Sequence, residues 1–540
     1  MFGWWQRYWF APGGRIAAAA IRIAVATSLL WMLWRIGSDT SLPSQLYYKQ
    51  GIWMLYPGRP SAAVLAALTD VAWVATAAML LGLCTRASHA VSLVATMAIA
   101  AYGVSDSPTW SHTDVPPILA SFALLGARSG DALSLDAWWR KRRGVELPIG
   151  AGYQRSVRLV QLAVAAVFAL AAYEKLKSGG FGLGWALSDN LRNQLLTRFD
   201  WIGAERTAVA SWLLAAPWHY ELAACASMIS QSAPILAVFF VRRPWLRAVV
   251  GTLWCAEVVG LGHVMNLWNL HWLPLAAAFV DWDALAARIG VPRDTREPVR
   301  SRGALAFVTA FVAFFALQGL WLNQRLHAFP FSSFPMFAVI RAKRPYSEHQ
   351  SYEMIGGDLE PLGADGNPAV AAWVSQRATY RWLWRERDPV KLPAMLDTVL
   401  AETRRGWPDA HVTGIRLWLS VFQAPAYPEP ARLDRIDLAI VGELDLPPGA
   451  REHGVFRSEL GTLLPDGRTW LAPGGHREPA DLHVAAIYDD LPDPVPVEMT
   501  PTPLGFVLAA PLRGDPAYLI GRMAGESKPW LLAVKARRGF

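Results

Sequence analysis

The chain is poor in charge and nearly devoid of cysteine. Asp, Glu, Lys and Arg make up 17% of its 540 residues, against 53% hydrophobic. With a mean hydropathy of +0.22, that balance is wrong for a wholly soluble protein. It suits a membrane protein with a soluble appendage. The three cysteines, Cys84, Cys225 and Cys255, lie far apart in apolar runs. They exclude a disulfide framework and a thiolate metal site, and a buried apolar role is expected of each. There is no low-complexity tract and no short-period repeat. The opening "MFGWWQRYWFAPGG" has aromatics where a cleavable signal would carry a short charged region. It reads as an interfacial amphipathic segment before a retained first helix.

What the chain has is apolar runs, tryptophan and basic loops. A spanning helix needs roughly 20 mostly apolar residues. Nine candidates occur, at about 15–37, 62–84, 87–105, 111–127, 156–176, 219–241, 245–263, 264–282 and 303–323. The stretch 203–217 is too short to span and reads as re-entrant or interfacial. The net charge of +8 is accounted for by Arg and Lys in short loops rather than by nucleic acid. Basic loops mark the cytoplasmic side, and three are strongly basic: residues 127–158, 241–247 and 287–302. Placing all three inside makes the nine spans alternate without strain. The N-terminus is then cytoplasmic, and everything after residue 323 is extracytoplasmic.

Residues 340–540 are polar and rich in proline. "NPAVAAWVSQRATYRWLWRER" and "LPAMLDTVLAETRRGW" have helical periodicity. "VTGIRLWLSVF", "RLDRIDLAIVGEL" and "DLHVAAIYDD" alternate like strands, and "LLPDGRTW" carries a turn signal. The organisation expected is a helical membrane domain over 1–325, an exit linker over 326–345 and a soluble α+β domain over 346–540. The last part contains no phosphate loop, no Gly-x-Ser-x-Gly and no metal-spaced histidine pair.

Polar chemistry collects at the outward helix ends. In "AAYEKLKSGGFGLGW", Glu174 and Lys175 end a long apolar run. They are either snorkelling interfacial charges or, if Lys175 faces the bundle, a base. His112 opens the fourth candidate span beside Ser111 and Asp114, two good N-cap residues; a histidine there can also transfer protons. "GHVMNLWNLHW" places His263, Asn266, Asn269 and His271 at a tight turn. The two asparagines would share a face if the segment were helical, for ligand binding or for interhelical hydrogen bonds. The histidine spacing matches no metal pattern. Glu257 sits mid-span, about 9 Å of helix below His263. It needs a partner, for which Ser230 and Gln231 are candidates, or it marks a cavity. Trp185 and Trp272 could line a flat ligand.

Four stretches carry a family resemblance: "SHTDVPPILASFALLGARSGDALSLDAWW", "VFALAAYEKLKSGGFGLGW", "HWLPLAAAFVDWDAL" and "FPFSSFPMFA". In content and order they resemble the vitamin K-dependent γ-carboxylase family and its bacterial relatives, the horizontally transferred transmembrane (HTTM) domain proteins, over roughly residues 1–340. The resemblance implies a polytopic helical domain in the cell membrane, and a reduced quinone of the vitamin K or menaquinol type as cofactor. It also implies an extracytoplasmic protein substrate or partner. By position, Lys175 matches the family base and His112 the family histidine. Two positions differ: Ser111 stands where the family has asparagine, and Glu174 where the animal enzymes have lysine. Three functions follow as expectations. One is a quinone-dependent oxidoreductase or carboxylase-like enzyme. The second is a non-catalytic lipid- or quinone-binding scaffold whose outer domain binds an envelope protein. The third, resting on Glu257 and 203–217, is a transporter; no inverted repeat accompanies it.

Overall fold

The computed structural model describes residues 2–36, 49–105, 113–145, 152–201, 204–241, 243–290 and 302–320, Phe329, and beyond residue 340 the strands given below with short flanking positions. The chain divides into two compact units, Met1–Phe199 with Gly203–Ile340, and Arg341–Phe540 with Asp200–Ile202.

The described helices of the first unit are α1 (Phe2–Trp9), α2 (Arg15–Arg35), α3 (Ala62–Leu81), α4 (Thr85–Ser105), α5 (Val115–Leu124), α6 (Leu135–Arg142), α7 (Tyr153–Ser178), α8 (Asn190–Leu196), α9 (Ala208–Leu213), α10 (Pro217–Phe239), α11 (Pro244–Met265), α12 (Trp282–Arg288) and α13 (Arg302–Leu320). Six of them, α2, α3, α4, α7, α10 and α11, are long and apolar enough to cross a membrane. The other three candidate spans are shorter. Val115 is followed by Pro116 and Pro117, whose missing N–H groups suit only a helix start, and the run turns at Gly126 with φ +77°. Ten residues of α5 reach about 15 Å, half of a hydrocarbon core. In 264–282, Asn266 leaves the helix with φ +53°, and Pro274 removes an N–H from the middle. The chain there winds as a 3₁₀ helix, Leu270–Phe279. The described side chains of α13 cover Arg302–Leu317.

Local chemistry sets the boundaries. Ser61, Ser134, Thr207 and Asp281 cap α3, α6, α9 and α12 by accepting from a backbone N–H in the first turn. Pro217 and Pro244 open α10 and α11. Gly82 closes α3 with φ +66°, and a Cβ there would lie 2.2 Å from that of Ser134. Only glycine fits this crossing of chain segments. Cys84 follows with φ +45° and stands exposed, unlike the buried role expected of it. The turn between α3 and α4 is too tight to tuck it in.

α7 is the hub. Its run of alanine, valine and leucine is apolar on all sides, the pattern of a helix surrounded by others. It packs on α10, α5, α2 and α13. Phe168 at its middle lies 5.7 Å from the ring of Trp254 and 5.9 Å from that of Trp272. Away from this core, the segment before α6 is held by charge. Arg22, fully buried in α2, donates to the carbonyls of Ser129 (2.6 Å), Ala132 (3.4 Å), Leu80 (3.5 Å) and Leu133. Asp131 takes Arg128 (2.7 Å), Arg140 (3.0 Å) and the Tyr153 hydroxyl (2.8 Å). Asp136 accepts from the backbone N–H of Cys84 (2.9 Å) and Thr85 (2.8 Å) and from the Thr85 hydroxyl, capping α4. The Ser-Leu-Asp stretch is thus a double cap: Ser134 for α6, Asp136 for α4.

The described elements of the second unit are β-strands: β1 (Tyr346–Ile355), β2 (Gly414–Gln423), β3 (Asp434–Leu444), β4 (Phe456–Arg457), β5 (Thr462–Leu463), β6 (Thr469–Leu471), β7 (Leu482–Ile487), β8 (Val495–Val497), β9 (Met499–Thr502), β10 (Gly505–Leu508), β11 (Tyr518–Met523) and β12 (Trp530–Val534). One sheet has the order β1-β2-β3 and the other β8-β7-β11-β12-β4-β5-β6-β10-β9. The three alternating segments of the sequence form β2, β3 and β7. The Pro-Asp-Gly signal lies between the antiparallel pair β5 and β6. Of the two helical patterns, 367–387 lies outside the described residues; within 392–407, positions 397, 400, 401 and 404 are helical.

Candidate functional site: a buried polar chain across three helices

Lys175 is in the last turn of α7, where a lysine stem ordinarily runs out to water. Instead it is 2% exposed. Its ammonium donates to Gln231 Oε1 of α10 at 2.9 Å. The Gln231 amide nitrogen donates to Glu257 Oε1 of α11 at 2.6 Å and to Ser227 Oγ at 3.1 Å. Ser227 Oγ donates to the same carboxylate oxygen at 2.7 Å, and Ser230 Oγ lies 2.6 Å from the other, Oε2. The Ser230 hydroxyl also lies 3.0 Å from the Ser227 carbonyl. Its single proton belongs to the shorter, charge-assisted contact.

The direction of these bonds carries charge information. Lysine can only donate when charged, so Gln231 must turn its oxygen to Lys175 and its nitrogen to Glu257. The carboxylate then receives donors from Ser227, Ser230 and Gln231, which is the pattern of an ionised acid. An ammonium and a carboxylate are joined through one amide, inside the bundle. A buried charge of either sign alone would be strongly unfavourable.

The glycines after α7 place the lid on this chain. Gly179 ends the helix, Gly180 turns it with φ +71°, and Phe181 follows at φ +60°. A Cβ on Gly179 would lie 2.9 Å from the Trp185 nitrogen. The backbone therefore doubles back, and Trp185, 2% exposed, sets its ring 5.1 Å from Lys175 Nζ. This is a cation–π contact in a desolvated place. Glu174, one residue before, is 9% exposed, and its Oε1 is enclosed without a hydrogen-bond partner among the described residues.

Serine and glutamine at 227, 230 and 231 have i, i+3, i+4 spacing and share one face of α10. Ser230 and Gln231 are thus found as the partners of Glu257. Sequence reasoning missed Ser227 and the junction with Lys175. The same spacing pointed to Ser227; nothing local pointed to the junction.

The other candidates do not join this chain through any contact seen among the described residues. His112 and Ser111 lie outside the described residues. Asp114 does not cap α5; its carboxylate accepts from Arg35 of α2, 3.9 Å from His271 Nε2. His271, 1% exposed, donates from Nε2 to the Thr113 carbonyl (2.9 Å), which also receives Trp272 Nε1 (2.7 Å). His271 Nδ1 is left as an enclosed acceptor without a partner. Ser28 of α2 donates to the His271 carbonyl.

Asn266 and Asn269 do not share a helix face, because the chain leaves α11 at Asn266. Asn266 accepts from Trp268 Nε1 (2.9 Å) and donates to the Glu205 carbonyl (3.3 Å). Asn269 starts the 3₁₀ stretch, with no capping bond from its side chain. His263 is exposed against the Trp268 ring at 4.9 Å, and its carbonyl accepts from Thr207. The short segment 203–217 contains α9, which buries Ala210 and Leu213 and exposes Val209 and Trp212.

The chain matches no protein-family model, no curated protein and no solved structure. Chemistry at this site therefore rests on its own geometry. No group of three or more His, Cys, Asp or Glu side chains able to hold a metal occurs among the described residues.

Proposed function

We propose that the chain is an integral membrane protein of the vitamin K-dependent γ-carboxylase-like, HTTM type, working as a quinone-dependent oxidoreductase with Lys175 as its base. The observation that carries this reading is the burial of Lys175 together with its connection, through Gln231, to Glu257. A snorkelling lysine would have neither.

The residues present suit a flat ring bearing hydroxyl groups. Trp185 offers a buried aromatic surface beside Lys175, and the enclosed Glu174 Oε1 is an acceptor waiting for an O–H. A bound quinol would supply the acidic hydroxyl and two electrons, for which dioxygen is the acceptor that the family resemblance implies. Lys175 Nζ, when neutral, accepts a proton. The ammonium so formed donates to Gln231 Oε1, and Gln231 passes the polarisation to Glu257. Glu257 thus stabilises the protonated base without touching it, in a medium where charge interactions are strong. Carboxylation of an extracytoplasmic protein glutamate is the further activity the family resemblance offers for the same base.

The nine-crossing topology belongs to this proposal. The six long helices cross, and α5, the 3₁₀ stretch and α13 complete the remaining crossings together with their neighbouring residues. The N-terminus lies inside and the second unit outside the inner membrane, as an α+β domain that meets a protein substrate or partner. A second reading, a non-catalytic lipid- or quinone-binding scaffold, is favoured by one observation: all the donors around Glu257 are already satisfied within the protein.

Menaquinol oxidation in membranes containing the native chain, K175A and K175M separates the two. Turnover by the native chain, lost in both variants while each remains folded by size-exclusion profile, is the expected result. Equal turnover in all three removes Lys175 from the chemistry and leaves the scaffold.

A further inference from the structure

Near the start of α7 lies a half-buried guanidinium, that of Arg158, with no paired acid among the described residues. α1 presses Trp9 and Phe10 into the core and leaves Trp4 and Arg7 exposed. Tyr8 reaches the end of α10: its hydroxyl donates to the Val238 carbonyl, and its ring stacks on Phe239 at 6.0 Å. On its other side the Arg158 guanidinium sits 4.0 Å from the Tyr8 ring centroid. Arg158 Nε and Nη1 are enclosed by the protein and have no hydrogen-bond partner among the described residues. Arg247, in the first turn of α11, comes to the same end of α10: its Nε donates to the Val241 carbonyl at 3.2 Å.

The segments that meet here, 2–13, 152–163 and 234–252, contain six arginines and no aspartate or glutamate. Arg158, through the Tyr8 ring, and Arg247, through the Val241 carbonyl, both gather at the end of α10, and like charges gathered in a half-buried place repel unless an anion joins them. Trp245 (60% exposed), Phe240 (76%) and Trp4 (55%) stand around them. Such rings sit where hydrocarbon gives way to headgroups.

We propose that Arg247, together with Nη2 of Arg158, holds the phosphate of an anionic phospholipid headgroup at this end of the bundle. Guanidinium forks match phosphate oxygens. The helix N-termini of α7 and α11 add positive potential in the same place. The acyl chains would run along Phe240 and Trp245, and Tyr8 on the apolar side fixes the plane of the Arg158 guanidinium. The lipid is thereby a clasp between α1, α7 and α11, independent of the chemistry at Lys175.

The test reconstitutes the full chain in nanodiscs of equal phosphatidylglycerol and phosphatidylcholine and counts, by mass spectrometry, the lipids that stay bound on gentle extraction. Native protein is expected to retain phosphatidylglycerol preferentially. The preference should fall roughly fivefold for each of R158Q and R247Q, survive in R158K and R247K, and be little changed by R7Q, an exposed arginine on the neighbouring helix. Should R158Q fail to fold, R247Q alone must still lower the preference. Three results overturn the proposal: undiminished preference in R247Q, an equal loss in R7Q, which would mean diffuse surface charge, or full displacement of the lipid by millimolar inorganic phosphate, which would mean a free-phosphate site.

Discussion

Two clusters of buried charge can be compared, and they are built on different plans. Arg22 and Asp136 bond mainly to backbone: Arg22 to four carbonyls, Asp136 to two N–H groups at the start of α4. Their partners are the groups that helix ends and turns leave unpaired. Around Lys175, Gln231 and Glu257 almost every bond runs from side chain to side chain, across three helices. No backbone group there needs them. The first plan closes a turn that would otherwise bury unsatisfied polar atoms. The second places a separated ion pair between helices with no backbone group for it to satisfy, and that lack of structural need is what supports the proposed role.

The comparison is broken most sharply at Lys175 itself. K175M removes the ammonium and leaves Glu257 as a buried anion. A loss of about 3–5 kcal/mol is expected, read from unfolding in detergent. The double variant K175M/E257L should recover most of that stability and none of the quinol turnover. If the double variant stays as unstable as K175M, the ion pair is not what the helices depend on.

R22M should be next. It strips the donor from four carbonyls, two buried and two part-buried, and is expected to destabilise by about 2–4 kcal/mol. Its turnover per folded molecule should equal the native value. A specific loss of turnover would mean that the two clusters are not separate.

E257Q keeps the shape and loses the charge. The Lys175 ammonium loses its anion, so stability should fall by about 3 kcal/mol, and turnover per folded molecule should fall roughly tenfold or more, both partly restored by E257D. A purely structural role predicts the loss of stability with turnover per folded molecule unchanged. The smallest change is D136A, which removes the cap of α4 and should lower stability by about 1 kcal/mol with no effect on turnover.

Much of the bundle was legible in the sequence because its signals are local. The starts and stops of α2, α3, α10 and α11 are set by apolar runs bounded by Gly82, Pro217, Pro244 and Arg35. The short apolar segments α5 and Leu270–Phe279 were not legible as such, because Pro116, Pro117, Asn266 and Pro274 interrupt α-helix inside stretches that remain largely apolar. Hydropathy averages over such residues; backbone hydrogen bonding does not. The site was half legible. Glu257 asked for a partner, and Ser230 and Gln231 were on the right helix face. Asp114 looked like a cap and is instead held by Arg35, since a nearby guanidinium outcompetes a backbone N–H for a carboxylate.

The sequence by itself determined that the first part of the chain is helical and apolar, where most of its helices begin and end, and which few polar residues those helices must accommodate. Only the tertiary structure decided which of them meet. Lys175 and Gln231 are 56 residues apart, and Gln231 and Glu257 are 26 apart. Their contact depends on how α7, α10 and α11 rotate about their axes when they pack. That rotation is set by the whole of each buried face, so no local spacing encodes it. The glycines after Ser178 were visible from the start; that they fold Trp185 back over the lysine could be seen only once the helices were in place.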